Sequence, residues 1–471
     1  MKFKFKKTML ATACVAAVSG ISVPVQAADW LTLQGTEPHG QAGRAKVWGF
    51  IQAQYQKDNS SEGTGSTNGG KYVPPKLIGP NLDSQSAFNI NRARIGVRGT
   101  GMPIDPNVNY FFLVEFGNNA ITAPGNNFAK LTDASVTLNH FKDVVRVRTG
   151  VFKIPMAEEI YQGIALIDYV NFTAGTNQLL LERVPNKIYT GNVASQNLPP
   201  ETSLQAYEQS VAAARGVGIQ FFNTIKVAPT WEIGYSYMYE NGNGLNASDN
   251  DDNKDSHFYL NATKIFKGKG GRRQDWKTFL WYTKGKRTID GTDDDAHNPE
   301  EYDRKRYGVG TRYLKLPFRV TAEYIKAKGV IFQGPDKPSF GLLGPAVGNP
   351  NHSFNGLNSD AEGTAWYVEG GWYIPKTKWE IDLRVAKFNR MDNQDPVSFG
   401  PGTGPHQNVT PEIEFKETTL GVQYHLNKKS RITFNITKNS AEAKTYNGGA
   451  GPNSNLDGVD RRYAVQLTHI F

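Results

Sequence analysis

Arg462-Tyr463-Ala464-Val465-Gln466-Leu467-Thr468-His469-Ile470-Phe471 closes the chain. In an extended segment Tyr463, Val465, Leu467 and Phe471 share one face, interrupted only by His469, while Arg462, Gln466 and Thr468 share the other. Successive strand residues point to opposite sides, so this is a strand with one apolar and one wet face. Such a strand fits a sheet between an apolar and an aqueous phase. It also fits the edge of a soluble sandwich, and the rest of the chain decides between the two.

The other terminus points to a compartment. Lys2, Lys4, Lys6 and Lys7 form a basic region, Met9 to Val23 an apolar run, and Val25-Gln26-Ala27 a small-x-small site. This is the form of a secretory signal peptide over residues 1–27, cleaved after Ala27. The apolar run is shorter than the roughly 20 residues of a transmembrane helix. Cys14 lies inside that run without the Leu or Val three residues earlier that a lipoprotein would carry. It is the only cysteine, so the mature chain has no disulfide, thiolate metal site or cysteine nucleophile. Removing the four lysines lowers the formal charge from +9 to +5, which gives no argument for nucleic acid. Tyr (21), Phe (25) and Gly (48) are abundant although only 38% of residues are hydrophobic. A transmembrane barrel has this profile because every second strand residue faces water, but soluble sandwiches and propellers share it.

Strand spacing separates these alternatives. Alternation predicts sixteen strands, near 44–56, 87–98, 108–116, 132–141, 143–152, 215–222, 228–240, 256–266, 274–284, 303–314, 317–328, 364–374, 378–389, 413–426, 429–438 and 461–471. Short connections at 99–107, Lys142, Lys315-Leu316, Pro375-Lys376-Thr377 and Asn427-Lys428 alternate with long ones at 57–86, 117–131, 153–214, 241–255, 285–302, 329–363, 390–412 and 439–460. Short turns at one rim and long loops at the other are the plan of an all-β transmembrane antiparallel barrel in a Gram-negative outer membrane. An even strand number puts both ends in the periplasm. The expected organisation is therefore a periplasmic segment over 28–43 and a barrel over 44–471. No repeat of 20–50 residues favours a propeller or solenoid.

The faces agree. Tyr110, Phe112, Val114 and Phe116 form one apolar stripe. Trp231, Ile233, Tyr235, Tyr237 and Tyr239 form another, Trp366, Val368, Gly370, Trp372 and Ile374 a third, and Trp379, Ile381, Leu383 and Val385 a fourth. Trp and Tyr sit mostly at stripe ends, as in aromatic girdles. The opposite faces carry Asn109, Glu115, Glu232, Ser236, Glu369, Glu380, Asp382 and Arg384, too many ionisable groups for a dry core.

Family resemblance enters on particular residues. Phe88-Asn89-Ile90-Asn91-Arg92-Ala93-Arg94-Ile95-Gly96-Val97-Arg98-Gly99 resembles the second-strand signature of the phosphate-selective porin O and P family. Arg148-Thr149-Gly150-Val151-Phe152-Lys153-Ile154-Pro155, followed by Glu158 or Glu159, resembles the strand entering that family's constriction loop, and Leu180-Leu181-Glu182-Arg183 fits further along it. Gly216-Val217-Gly218-Ile219-Gln220 resembles the strand that leaves it. Met156-Ala157 departs from the family's more usual aromatic and small residue, so phosphate specificity does not carry over by residue identity. The resemblance implies a sixteen-stranded homotrimeric porin whose terminal Phe471 is read by the barrel-assembly machinery.

Arg92, Arg94 and Arg98 share one face of strand two, Arg146 and Arg148 one face of strand five, and Arg304, Arg306 and Arg312 one face of strand ten. Arg319, Arg384, Arg431 and Arg462 face the same way by parity. An arginine in mid-membrane lipid costs roughly 2–4 kcal/mol, so these twelve are assigned to the pore lining. Guanidinium forks match phosphate and carboxylate oxygens, and ladders of them form an anion path. Glu115, Glu232, Glu323, Glu369, Glu380, Asp382 and Glu417 face the same lumen, so bracing of the wall is the competing reading. The grouping by strand suggests a basic wall facing an acidic one.

The 153–214 connection is the longest and carries apolar anchors at Leu166, Ile167, Tyr169, Phe172 and Leu179 to Leu181. Loops beyond roughly 15 residues are usually functional or disordered, and this one is expected to fold inward as a constriction. Lys153, Glu158, Glu159, Asp168, Glu182, Arg183 and Lys187 are its candidate eyelet residues. Asp249, Asp251, Asp252 and Asp255 mimic the start of a calcium loop, but Lys254 and Leu260 stand where Gly and Glu belong. A solvated loop, weakly bridging divalent ions to lipopolysaccharide at most, fits better. No histidine spacing marks a metal site, no cofactor is implied, and the absence of Gly-x-Ser-x-Gly argues against an enzyme. The sequence points to a porin for small hydrophilic or anionic solutes. A structural barrel, such as a sheath around a redox partner or an adhesin, is the alternative, and it would lack a folded-in loop.

Overall fold

A computed structural model describes residues 30–33, 36, 45–60, 86–101, 105–119, 121–122, 129–184, 209–210, 214–242, 244–245, 249, 251–268, 272–290, 299–331, 361–390, 412–443 and 457–471. The signal peptide, most of the 28–43 segment and Lys187 lie outside them.

Sixteen antiparallel strands close into one barrel. They are β1 (Lys46–Asp58), β2 (Ser86–Gly101), β3 (Asp105–Glu115), β4 (Lys130–Leu138), β5 (Arg146–Lys153), β6 (Arg215–Ala228), β7 (Trp231–Glu240) and β8 (Asp255–Lys267). The second half holds β9 (Gln274–Asp290), β10 (Pro299–Lys315), β11 (Phe318–Lys328), β12 (Glu362–Tyr373), β13 (Trp379–Arg390), β14 (Ile413–Asn427), β15 (Ser430–Ala443) and β16 (Arg461–Ile470). Each strand pairs with its chain neighbours, and β16 returns to β1 with Phe50 opposite Ile470 and Asp58 opposite Arg462. Closure leaves no edge strand, which a lipid environment requires of any sheet.

Strand number and faces match the reading from alternation, but some ends move. β4 stops at Leu138, and 139–145 form a hydrogen-bonded turn in place of the single-residue connection expected at Lys142. β6 runs on to Ala228, and β9 and β10 extend through most of the expected 285–302 loop, pairing as far as Asp290 with Pro299.

The outer wall is apolar on strand after strand. Phe112, Leu260, Leu280, Val309, Val368, Leu383, Leu420 and Ile436 are all exposed. An apolar surface continuous around a barrel exceeds anything a soluble monomer presents to water. Beside the short turns it is ringed by Trp231, Trp276, Phe318, Trp372 and Trp379, the expected interfacial girdle. Phe471 joins this ring. Its backbone exchanges hydrogen bonds with Gly49, and a Cβ on Gly49 would lie 2.4 Å from the Phe471 ring. Only glycine on β1 lets the terminal aromatic lie flat across the closing seam.

The interior is a packed core. The segment 154–184 folds inside the barrel through single helical turns at Glu158–Tyr161, Ile164–Leu166 and Thr176–Leu180. Met156, Ile160, Tyr161, Phe172 and Leu179 to Leu181 pack with Phe152, Phe222, Tyr259, Trp281, Ile325, Phe388 and Phe415 of the inner wall in one hydrophobic cluster. The loop is thus held by burial of apolar surface, at roughly 25 cal/mol per Å² removed from water.

Candidate functional site

Charged latches complete the loop's attachment, and each joins a loop carboxylate to arginine or lysine of the wall or its short turns. Asp168 accepts hydrogen bonds from Arg272 at 2.6 Å and Arg431 at 3.3 Å, and lies 3.2 Å from Arg319. Burial alone would raise its carboxyl, but Arg272, Arg319 and Arg431 together outweigh that and hold it well below the usual carboxylate range. Glu182 meets Arg304, Arg287 at 3.3 Å and Arg306 at 3.7 Å. Burial again opposes ionisation, yet Arg287, Arg304 and Arg306 lower its pKa to about 2. Glu159 accepts from Arg384 at 3.0 Å and from Thr173, while Glu158 accepts from Lys277 at 2.5 Å and lies 3.9 Å from Arg312. Glu323 of β11 takes the Glu158 backbone N–H at 3.0 Å, together with Trp281 and Tyr367.

All twelve arginines point inward, and they fall into distinct groups. Arg304 and Arg306 are sealed beneath the loop, with Arg306 capping the carbonyls of Leu179, Gly329 and Val330. Arg319 binds Glu380 at 2.7 Å and Asp382 at 2.5 Å, Arg94 binds Glu115 at 2.6 Å, and Arg462 binds Asp58 at 3.0 Å. Arg146 contacts Asn139 and Asn223, Arg148 lies 4.3 Å over the Phe222 ring, and Arg98 reaches the Thr36 carbonyl. The expected division into a basic and an acidic wall therefore does not describe the charges. Register places most acids one or two strands from an arginine, so they neutralise locally. The backbone of Arg183 forms a two-residue ribbon with Ser210.

Cavities open on both sides of the Ile164–Leu166 turn. On the side of β2, β5 and β6, a slot of about 20 Å³ is lined by Arg92, Arg94, Lys153 and Arg215, with Asn119 and Thr122; no carboxylate lines it among the described residues, although Glu115 and Asp133 pair with Arg94 and Arg215 behind it. Such a volume holds about one water. The slot shares Arg94, Lys153, Ile164 and Arg215 with a mostly apolar chamber of about 170 Å³ beside Trp48, Phe50 and Phe111, which Asp133 also lines. On the opposite side a slot of about 10 Å³ is lined by Arg272, Arg312 and Arg319 with Asp168 and Glu369. It shares Leu166, Arg272 and Leu314 with a chamber of about 400 Å³ at the short-turn rim. Lys153 differs from the wall arginines because the carbonyls of Ile160 (2.8 Å) and Gln162 (2.7 Å) hold its ammonium. The loop carbonyls thus position its ammonium, and no carboxylate bonds it among the described residues.

Part of the 28–43 segment, expected in the periplasm, reaches this region. The turn Trp30–Leu33 lies against the inner wall, with Leu31 fully buried and its carbonyl 3.4 Å from Arg148. The Trp30 ring sits 5.1 Å from the Lys153 ammonium and against Gly163, where a Cβ would approach it to 2.8 Å. It thereby walls the apolar chamber below the basic slot. Deleting residues 28–36 from the mature chain should raise single-channel conductance in planar bilayers. Unchanged conductance would mean that the turn stands clear of the conducting path.

Glu240, Asp255 and His257 bring ligand-type atoms within 4.8 Å of one another, a grouping the sequence reading missed because they meet only across β7 and β8. Asp255 already pairs with Arg287 and Arg304, and His257 bonds Thr283 and Glu240. The two guanidiniums beside the trio repel a cation, so it belongs to the ion-pair network.

The barrel is similar to solved outer-membrane proteins. These include the Salmonella typhi OmpF complex with daunomycin (13% identity, TM-score 0.50, covering 91% of this chain and 97% of that one). An anion-selective porin from Comamonas acidovorans matches at 12% identity and TM-score 0.47, over 92% of this chain and all of that one. The outer-membrane channel DcaP of Acinetobacter baumannii matches at 11% and 0.46, over 93% and 100%. These likenesses concern the fold. Comparison with curated proteins returns no match. The family model for phosphate-selective porin O and P matches residues 79–451, most of the barrel, and the chain belongs to that family.

Proposed function

We infer that the protein is a passive diffusion channel of the outer membrane for small hydrophilic solutes, with a lumen that leans toward anions. The observation that carries this reading is the slot lined by Arg92, Arg94, Lys153 and Arg215, with no carboxylate in the lining among the described residues. A slot of that volume keeps any ion that enters it well within the roughly 8–10 Å over which charge is felt at physiological salt. An anion there meets the forked donors of Arg92, Arg94 and Arg215 beside the Lys153 ammonium, while Glu115 and Asp133 behind the lining offset Arg94 and Arg215. Local neutralisation of the arginines, Arg94 and Arg215 included, supports a modest preference rather than a dedicated phosphate site. A sheath or adhesin needs a wide lumen or only its outer loops, and the inward-folded 154–184 segment serves neither. The family resemblance further implies a homotrimer in lipid and lipopolysaccharide, assembled through Phe471.

Reversal potentials in a potassium chloride gradient test the reading. The expected sign is that of chloride exceeding potassium, with a small ratio. A potential on the cation side, or no conductance, would overturn it. Inhibition of chloride current by micromolar phosphate would instead support a specific phosphate site.

A further inference from the structure

The 400 Å³ chamber at the short-turn rim has a composition that the passage of small inorganic ions does not require. Its floor is apolar, formed by Leu166 of the loop, Leu314 and Leu316 of β10 and its turn, and Ile470 of β16. Its polar side is cationic, formed by Arg272, Arg431, Lys428 and Lys429. The two guanidiniums share Asp168, and the two turn lysines form no ion pair among the described residues. His425, also in the lining, bonds Glu380 at 2.9 Å. The surroundings therefore carry an excess of positive charge over the shared carboxylate. Small-molecule sites have this size, mostly apolar walls and a few placed polar groups.

We propose that this periplasmic vestibule is a binding site for small amphipathic organic anions, in which the apolar body rests on Leu166, Leu314, Leu316 and Ile470 and a carboxylate or sulfonate faces Lys428, Lys429 and Arg431. Phosphate and chloride satisfy only the cationic half. A neutral apolar solute satisfies only the floor and leaves the lysine side unanswered. The site deepens the anion-leaning reading by naming a solute class, and it rests on that reading for the route by which such anions arrive. It lies beyond the loop on the exit side, so an occupant delays release into the periplasm and partly blocks ion current.

The test uses the full mature channel in planar bilayers, with 3-phenylpropionate, its neutral amide and phosphate each added at the periplasmic face. Phenylpropionate should reduce chloride current at concentrations where the amide and phosphate do not. The double variant K428Q/K429Q should raise its half-blocking concentration about tenfold. L316Q, at an exposed turn position, should weaken the phenylpropionate block and leave any phosphate effect unchanged. Block that is equal for phosphate and phenylpropionate, or insensitive to both variants, would overturn the site. Calorimetric titration of phenylpropionate onto the detergent-solubilised protein reads binding without conduction. If reversal potentials proved cation-leaning while the calorimetric affinity and its loss in K428Q/K429Q remained, the functional reading would fall and the vestibule would stand.

Discussion

Replacing Asp168 with Asn should loosen the inward-folded 154–184 loop while leaving the barrel closed. Asp168 is the single loop carboxylate shared by Arg272, Arg319 and Arg431. Removing one partner of a buried ion pair costs about 3–5 kcal/mol, because the remaining charge is left uncompensated. Arg319 keeps Glu380 and Asp382, and the strand ladder is untouched, so the loss falls on the loop's seat. A penalty of that size shifts the balance between seated and unseated loop by more than a hundredfold. The expected readout is noisier and larger single-channel conductance, with faster amide exchange over 154–184 and unchanged heat-resistant migration of the barrel. Quiet wild-type conductance in the variant would show that apolar packing alone seats the loop.

The same latch fixes a pH dependence. The Asp168 and Glu182 carboxyls are depressed in the folded protein, so their contribution is fully present above the ordinary carboxylate range and is lost only as pH falls through the folded values. Glu182 is therefore released near pH 2 and Asp168 lower still. The loop stays seated across mildly acidic conditions that would protonate an unpaired carboxylate with a pKa of about 4.

The wall was legible in the sequence because lipid punishes errors of parity. Val309 and Leu383 had to face out and Arg306 and Arg384 in, and a one-residue slip would put each guanidinium in hydrocarbon. The loop's apolar anchors were legible for a similar reason, since Leu179 to Leu181 make a poor surface loop. Their receptors were not. Phe222, Trp281 and Phe388 face a lumen that alternation alone assigns to water. One signal was available: Thr278-Phe279-Leu280-Trp281-Tyr282 is apolar on both faces, which a strand with one wet face would not be. Partner identity was beyond reach, because the latches join residues far apart in the chain, as with Asp168 and Arg431. Cross-strand charge pairing likewise depends on register, and bulges such as that between Gln52 and Ala53 shift it without a marker in the sequence.

Substituting Lys153 should change selectivity more cleanly than substituting any arginine of the wall. Arg94 is bonded to Glu115, so its loss exposes a buried carboxylate and mixes a structural effect with an electrostatic one. Lys153 is held by the carbonyls of Ile160 and Gln162, so Lys153→Gln removes the ammonium, keeps a donor for them and orphans no acid among the described residues. A unit charge about 8 Å from a passing ion, at an effective dielectric of about 20, is worth roughly 2 kcal/mol. That is more than tenfold in the relative occupancy of anion and cation within the slot. The reversal potential in a chloride gradient should therefore move toward the cation side, with the largest shift near 0.1 M salt and a much smaller one at 1 M, where the screening length falls to about 3 Å. A salt-independent change would point to a displaced loop instead of a lost charge. No shift at low salt would remove the slot between β2, β5 and β6 from the conducting path and leave the passage beside Arg312 and Arg319 to carry the current.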